Sequence, residues 1–176
     1  IWCPPGEVYF DRTVGVVVYE GVIRDGIHWF KYRYKTALGK ALGGLMLQGL
    51  RDFYSADAFD AVIPVPLHWR KMRQREFNQA ALLAEPIARE RNIPLLEKTL
   101  IRKRHTPPQS RQHVSWRMKN VAGAFEVKKP EDVRDKAILL VDDLCTSCST
   151  VNECARVLKQ AGAKSVYVLA LARALS

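Results

Sequence analysis

Apolar positions along this chain change period several times, and each change marks an element. A β-branched run from Val14 to Tyr19 predicts a strand, which Gly21 breaks. From Val22 the apolar residues Ile23, Ile27, Phe30 and Tyr34 recur at helical spacing, and Ala37 to Phe53 repeats the pattern with Leu38, Leu42, Leu45 and Leu50. Gly39, Gly43 and Gly44 cost that second helix stability and read as points of close packing. Ala61 to Val65 is a short apolar strand, and Pro64 and Pro66 make the chain leave the sheet at Val65-Pro66. A basic turn follows with Arg70, Lys71, Arg73 and Arg75. Asn78 then caps a helix to about Arg91, with Ala81, Leu82 and Ile87 towards the core and Pro86 as a kink.

Leu95 to Arg102 reads as a strand feeding a polar, basic stretch, Lys103 to His113, predicted to be a mobile loop. Ser115 is placed to cap a short helix before Gly123, and Phe125 to Val127 is a brief strand. The last unit is the most regular. An apolar strand, Ala137 to Val141, stops at Asp142 and Asp143; small and hydroxylated residues follow; a helix runs from Val151 to Ala161; Gly162 stops it; and a strand spans Ser165 to Leu171. Alternating strands and helices imply an α/β fold with a mostly parallel central sheet flanked by helices. Ile1 to Arg12, with Pro4, Pro5 and Gly6, shows no period and reads as a lead-in.

Composition adds limits. A chain of 176 residues that is 48% hydrophobic closes one core, so a single domain over 1–176 is expected. No apolar run approaches the roughly 20 residues of a membrane span, and the first residues lack a signal-peptide pattern, which predicts a cytoplasmic protein. Four cysteines are too few and too clustered for a disulfide framework. The formal charge of +10 is concentrated at Arg70 to Arg75 and Arg102 to Arg117, and it points to polyanions such as diphosphate or nucleic acid. For any single Lys or Arg the plain alternative is a solvated surface charge. His28, His68, His105 and His113 are scattered without triad spacing, which argues against a catalytic histidine.

Chemistry concentrates at Lys136 to Thr150. A strand end in an open parallel sheet, followed by a helix N-terminus, is an anion site, and the residues there are Thr146, Ser147, Cys148, Ser149 and Thr150. Asp142 and Asp143 are suited to ligand hydroxyls or to a hard cation such as Mg2+. A phosphate on one side and a diol with metal on the other describe a phosphorylated ribose. Cys145-Thr-Ser-Cys148 admits two further readings. It is a C-x-x-C redox pair at a helix start, or with Cys154 and a fourth ligand such as Cys3 it is a zinc set; neither explains the aspartates.

These residues resemble the 5-phosphoribosyl-1-diphosphate (PRPP) signature of type I phosphoribosyltransferases, two acids closing a strand before a Thr-Thr-Gly-x-Thr loop. Cys148 stands where that family has glycine. A second set narrows the resemblance. Pro64, Val65, Pro66, Leu67, Arg75, Phe77, Asn78 and Gln79 are similar to a ComF-family pattern, with Glu76 replacing glycine. Thr106, Pro107, Pro108 and Gln109, then Arg117, Asn120, Val121, Gly123, Ala124 and Phe125, follow the same family, as does the Ile-x-x-x-Lys-Tyr segment beginning at Ile27. ComF proteins commonly begin with a four-cysteine zinc ribbon, of which only Cys3 is here.

The resemblance implies a type I phosphoribosyltransferase-like fold with a mobile loop over the site. It implies that Asp142 and Asp143 are catalytic, orienting ribose hydroxyls and the Mg2+ shell through the ligand, while Thr146 to Thr150 hold the 5-phosphate. Val65, Pro66, Arg70, Lys71 and Arg75 would take the diphosphate, and Arg104, Gln109, Arg111 and Arg117 belong to the closing loop. The implied reaction is displacement of diphosphate from C1 of the ribose through an oxocarbenium-like state. The family's link to competence and DNA uptake also implies single-stranded DNA and uptake proteins such as a helicase as partners, and an oligomer is compatible with it. The alternative is a non-catalytic single-stranded-DNA module, with Trp69 and Trp116 as stacking candidates.

Overall fold

The computed structural model describes residues 7–32, 35–55, 58–104 and 120–174. Its elements in chain order are β1 (Arg12–Val18), α1 (Gly21–Tyr32), α2 (Lys35–Phe53), β2 (Ala61–Pro64), α3 (Trp69–Arg75), α4 (Gln79–Arg91), β3 (Leu100–Arg102), β4 (Phe125–Val127), β5 (Ala137–Cys145), α5 (Ser149–Gln160) and β6 (Ser165–Arg173). A four-stranded sheet has the order β1-β6-β5-β2, and every pairing in it is parallel. β3 and β4 form a separate antiparallel pair. Among the described residues, no helix is long and apolar enough to cross a membrane.

The sheet is covered on both faces, which is why its central strand reads as an unbroken apolar run rather than an alternation. Ile138 and Leu140 of β5 face one core with Cys154, Ala155 and Leu158 of α5 and with Leu100 and Phe125 of the small hairpin. Leu139 and Val141 face the other, with Ile27 and Phe30 of α1, Met46 and Leu50 of α2, and Leu83 and Ile87 of α4. The layers are therefore α1, α2 and α4, then the sheet, then α5 with β3 and β4.

Several expectations are corrected. β5 does not stop at the aspartates but continues through both to Cys145, because β6 keeps pairing beside it as far as Cys145 opposite Arg173. The basic turn is a seven-residue helix, α3, capped at its start by the His68 side chain, which accepts from the Arg70 N–H. The Asn78 cap is observed and Ile87 is buried as expected, but the fully buried face of α4 is completed by Ala80, Leu83, Ala84 and Ala88, with Leu82 packed against the core at its margin and Ala81 half-buried. Leu95 to Arg102 is not one strand: Leu95 makes a lone parallel bridge to Val62, and only Leu100 to Arg102 pair with β4. α5 begins at Ser149, two residues before Val151, so Ser149 and Thr150 lie in its first turn.

Of the helix glycines, Gly43 is a contact point, since an added Cβ would lie 3.3 Å from Pro86 Cγ, whereas one at Gly44 would meet nothing. The tightest approach is at Gly49, where a Cβ would fall 2.4 Å from Val16 Cγ2 of β1. That glycine lets α2 lie directly on the edge strand.

Candidate functional site

The site lies where β2 ends and β5 runs on. Pro64 pairs with Val141, and the Val65 N–H makes the last contact, donating to the Val141 carbonyl at 2.8 Å. Beyond it, among the described residues, β5 pairs only with β6, and the chain from Val65 turns away into α3. The Asn78 side chain holds that turn, donating to the Val65 carbonyl at 3.1 Å while accepting from the Ala80 N–H. Val65 and Pro66 are both buried at this corner.

Continuation of the strand decides how the two aspartates are used. Side chains alternate across a strand, so neighbours cannot share a face. Asp142 follows Ile138 and Leu140 towards the α5 side, and its charge is felt by Cys154 and by Arg102 of β3. Asp143 follows Leu139 and Val141 towards α1, where Lys31 Nζ meets its carboxylate at 2.7 Å. The two remain linked through the Asp143 N–H, which donates to Asp142 Oδ1 at 2.8 Å. Burial first, and the Asp143 charge second, push the Asp142 carboxyl well above its ordinary pKa.

Cations gather around this edge. Burial of Lys71 lowers its pKa, and Arg102, Arg75 and Lys31 push in the same direction, with Asp143 opposing them. Three basic groups from α1, α3 and β3 thus act on Lys71 beside Asp143. Arg102 is itself lowered by burial, and its guanidinium lies 5.2 Å from the centre of the Phe125 ring. Arg75 donates to Gln79 Oε1 at 3.1 Å. Arg70 is exposed and lies over the ring of Trp69, 5.3 Å from its centre.

Behind the aspartates the loop turns into α5. Thr146 is exposed, Ser147 and Ser149 are buried, and their hydroxyls are 2.9 Å apart. Cys148 is the N-cap residue and adopts a left-handed backbone, φ 54° and ψ 4°, with no side-chain capping bond. The first bond of the helix runs from the Asn152 N–H to the Cys148 carbonyl, which leaves the N–H groups of Ser149, Thr150 and Val151 without intrahelical partners. A hollow of ≈ 30 Å³ is lined by Asp142 and the residues from Leu144 to Val151. The neighbouring Cys145 thiol lowers the Cys148 pKa to about 7, and the Cys148 thiol together with burial raises that of Cys145.

The other expected residues divide. Arg104 is the last described residue before 105–119, and its guanidinium donates to the Asn120 and Ala122 carbonyls at 2.9 and 2.7 Å, joining the stretches on either side. Glu153 of α5 braces the same junction by accepting from the Gly123 N–H at 2.6 Å. Gln109, Arg111, Arg117 and Trp116 lie outside the described residues, as do Ser115 and Cys3. The zinc reading is corrected: among the described residues, which include Cys145, Cys148 and Cys154, no three ligating side chains converge on a metal position. Lys31 and Arg102 were not expected at the site. Lys31 is the lysine of the Ile-x-x-x-Lys-Tyr segment, so a signal for it was present; nothing in the local pattern of Arg102 distinguishes it from its basic neighbours.

Comparison with known proteins agrees with this architecture. Residues 78–176 match the family described as Phosphoribosyl transferase domain. The chain is 30% identical to Competence protein F of Haemophilus influenzae over 176 residues, covering 98% of this chain and 77% of that protein. It is 31% identical to the DNA utilization protein YhgH of Salmonella typhimurium, covering 94% and 74% respectively. Among solved structures, the glutamine PRPP amidotransferase of B. subtilis superimposes with a TM-score of 0.50 at 23% identity, over 76% of this chain and 26% of that one, which speaks to fold alone. A parallel sheet whose second strand turns away beside two acids, and relatedness across nearly the whole chain, place this protein in the phosphoribosyltransferase family, among the competence ComF proteins.

Proposed function

We propose that this edge of the sheet binds PRPP or a related ribose phosphate and that the chain acts on it as a phosphoribosyltransferase. The observation that carries the reading is the convergence of Lys31, Lys71 and Arg102 on Asp142 and Asp143, with Arg75 beside Lys71, directly before a helix N-terminus. A buried lysine whose pKa is lowered by neighbouring cations, as Lys71 is, gains from a polyanion placed beside it. A diphosphate between α1, α3 and β3 supplies that charge, and the 5-phosphate takes the N–H groups at the start of α5. Asp142 and Asp143 then accept from ribose hydroxyls on the two sides of β5.

Two carboxylates on opposite faces do not make a protein cage for a metal. They suit Mg2+ that keeps its waters and draws most of its oxygens from a polyphosphate. When bound, the ion would offset negative charge on the diphosphate. The side chains of this site orient the ribose, and the cations stabilise negative charge as it accumulates on the leaving group.

Calorimetric titration of PRPP with Mg2+ tests the reading against a variant carrying both Asp142→Asn and Asp143→Asn. Micromolar binding by the parent and at least tenfold weaker binding by the variant is the expected outcome. Equal affinities would overturn it.

One observation favours a second reading, single-stranded DNA binding. Trp69 is 55% exposed beside the cationic edge, with Arg70 lying over its ring, the arrangement of a base-stacking platform. The names of the relatives, a competence protein and a DNA utilization protein, are consistent with a nucleic-acid partner.

A further inference from the structure

The ribose-phosphate reading makes no use of the two sulfurs in the phosphate loop, although their placement is specific. Cys145 is the last residue of β5 and Cys148 the cap of α5, so a strand end and a helix start bring both cysteines to the lining of one hollow across Thr146 and Ser147. Both are almost wholly buried, at 3% and 5% exposure, and both line the hollow of ≈ 30 Å³. That space accommodates water-sized molecules and excludes a peptide-sized thiol reagent. The third buried thiol, Cys154, lies on α5 in the core and does not line the hollow. We infer that Cys145 and Cys148 form a reversible oxidation site, closed to a disulfide by hydrogen peroxide or a comparably small hydroperoxide.

The chemistry balances within the site. The Cys148 sulfur attacks one peroxide oxygen, the O–O bond breaks, and the departing hydroxide takes a proton to leave as water, giving a sulfenic acid. The Cys145 sulfur then attacks the Cys148 sulfur, the S–O bond breaks, and a second water leaves with the Cys145 proton. Two thiols and one peroxide become one disulfide and two waters. Cys148 is the natural first nucleophile: its thiol pKa is lowered towards neutrality by the neighbouring Cys145 thiol, and Arg173 assists.

A disulfide of about 2.05 Å draws the sulfurs closer than two thiols approach without a bond. Thr146 and Ser147, which join the two cysteines, must shift, and with them the N–H groups that open α5. Oxidation is therefore a switch on the anion loop. This consequence rests on the ribose-phosphate reading, whereas the disulfide itself does not.

Mass spectrometry of the whole chain after titration with hydrogen peroxide, followed by alkylation in denaturant so that burial protects no thiol, is the test. The expected result is loss of two hydrogens, protection of Cys145 and Cys148 alone from alkylation, and restoration by dithiothreitol. Cys145→Ser and Cys148→Ser should each abolish the two-hydrogen loss while leaving the circular dichroism spectrum unchanged. A disulfide involving Cys3 or Cys154, or accumulation of sulfinic acid at Cys148 without a disulfide, overturns the inference. PRPP titration of the reduced and oxidised forms supplies the second arm, with affinity expected to fall about tenfold or more on oxidation, the loss of one charge-assisted hydrogen bond. Equal affinity would defeat the switch. If the disulfide forms but the reduced protein does not bind PRPP, the ribose-phosphate reading fails and the oxidation site stands.

Discussion

Asp142 shows what the site costs the fold. Its carboxyl is raised by burial first and by Asp143 second, so the folded chain keeps a proton that the unfolded chain has released. Stability on this account is full below the unfolded pKa and declines as pH rises through the folded one. Asp142→Asn removes the ionised form, and the variant should melt above the parent at pH 7. The gain should be a few degrees, since about 1 kcal/mol moves Tm by about 2–4 °C at this chain length. It should vanish below about pH 4, where the ordinary carboxyl is also protonated. Scanning calorimetry at both pH values checks the sign, and a lower Tm at pH 7 would show that Asp142 is held as a stabilising anion instead. Strain of another kind sits at Cys148 and Glu76, with φ of 54° and 65°. Both departures from family glycines fall on left-handed backbone, where a Cβ is disfavoured. The family pattern marked the positions, and the backbone explains them.

At the scale of elements, α2 lies on β1 through one glycine. Gly49→Ala places a methyl 2.4 Å from Val16 Cγ2, too close for the contact to persist, and overpacking of this kind costs about 1–3 kcal/mol. Val16→Ala opens the space, so the double variant should recover most of the loss, and denaturant midpoints of the four proteins in that cycle measure the coupling. Additive losses would mean that α2 moves off the strand rather than pressing on Val16. The pattern of apolar residues located α2 without identifying Gly49, because spacing along a helix says which face is buried and not how near the neighbour lies. The same limit explains α4, where spacing did not distinguish the fully buried Leu83 from Leu82, which packs at the margin of the core.

For the whole molecule, the relevant quantity is the net charge of +10 and where the folded chain collects it. If single-stranded DNA binds along this edge, its affinity must fall steeply with salt, because each phosphate contact releases a counterion. Trp69→Ala should then weaken binding by about 1–3 kcal/mol, with the Asp142→Asn, Asp143→Asn variant unaffected or tighter. Fluorescence anisotropy with a labelled oligonucleotide across a salt series separates this from a PRPP site, which depends on the aspartates and not on Trp69. A salt-independent affinity would end the nucleic-acid reading.

The sequence alone determined the α/β class, the order of most elements, the strand–loop–helix unit from Ala137 to Gln160 and the family, because these rest on periodicity, caps and contiguous motifs. It led to the expectation that the acids, the hydroxyl loop and the basic turn after Val65 meet at the carboxyl ends of the strands, where ligands bind in open parallel sheets. Only the tertiary structure decided that β5 runs through its aspartates and so divides them between two faces, because β6 continues to pair with it beyond the end of β2. Only it brought Lys31 from α1 and Arg102 from β3 to those carboxylates, across more than 100 and about 40 residues of sequence respectively. Local pattern determines what an element is; which charges meet is set by how the layers close on the sheet.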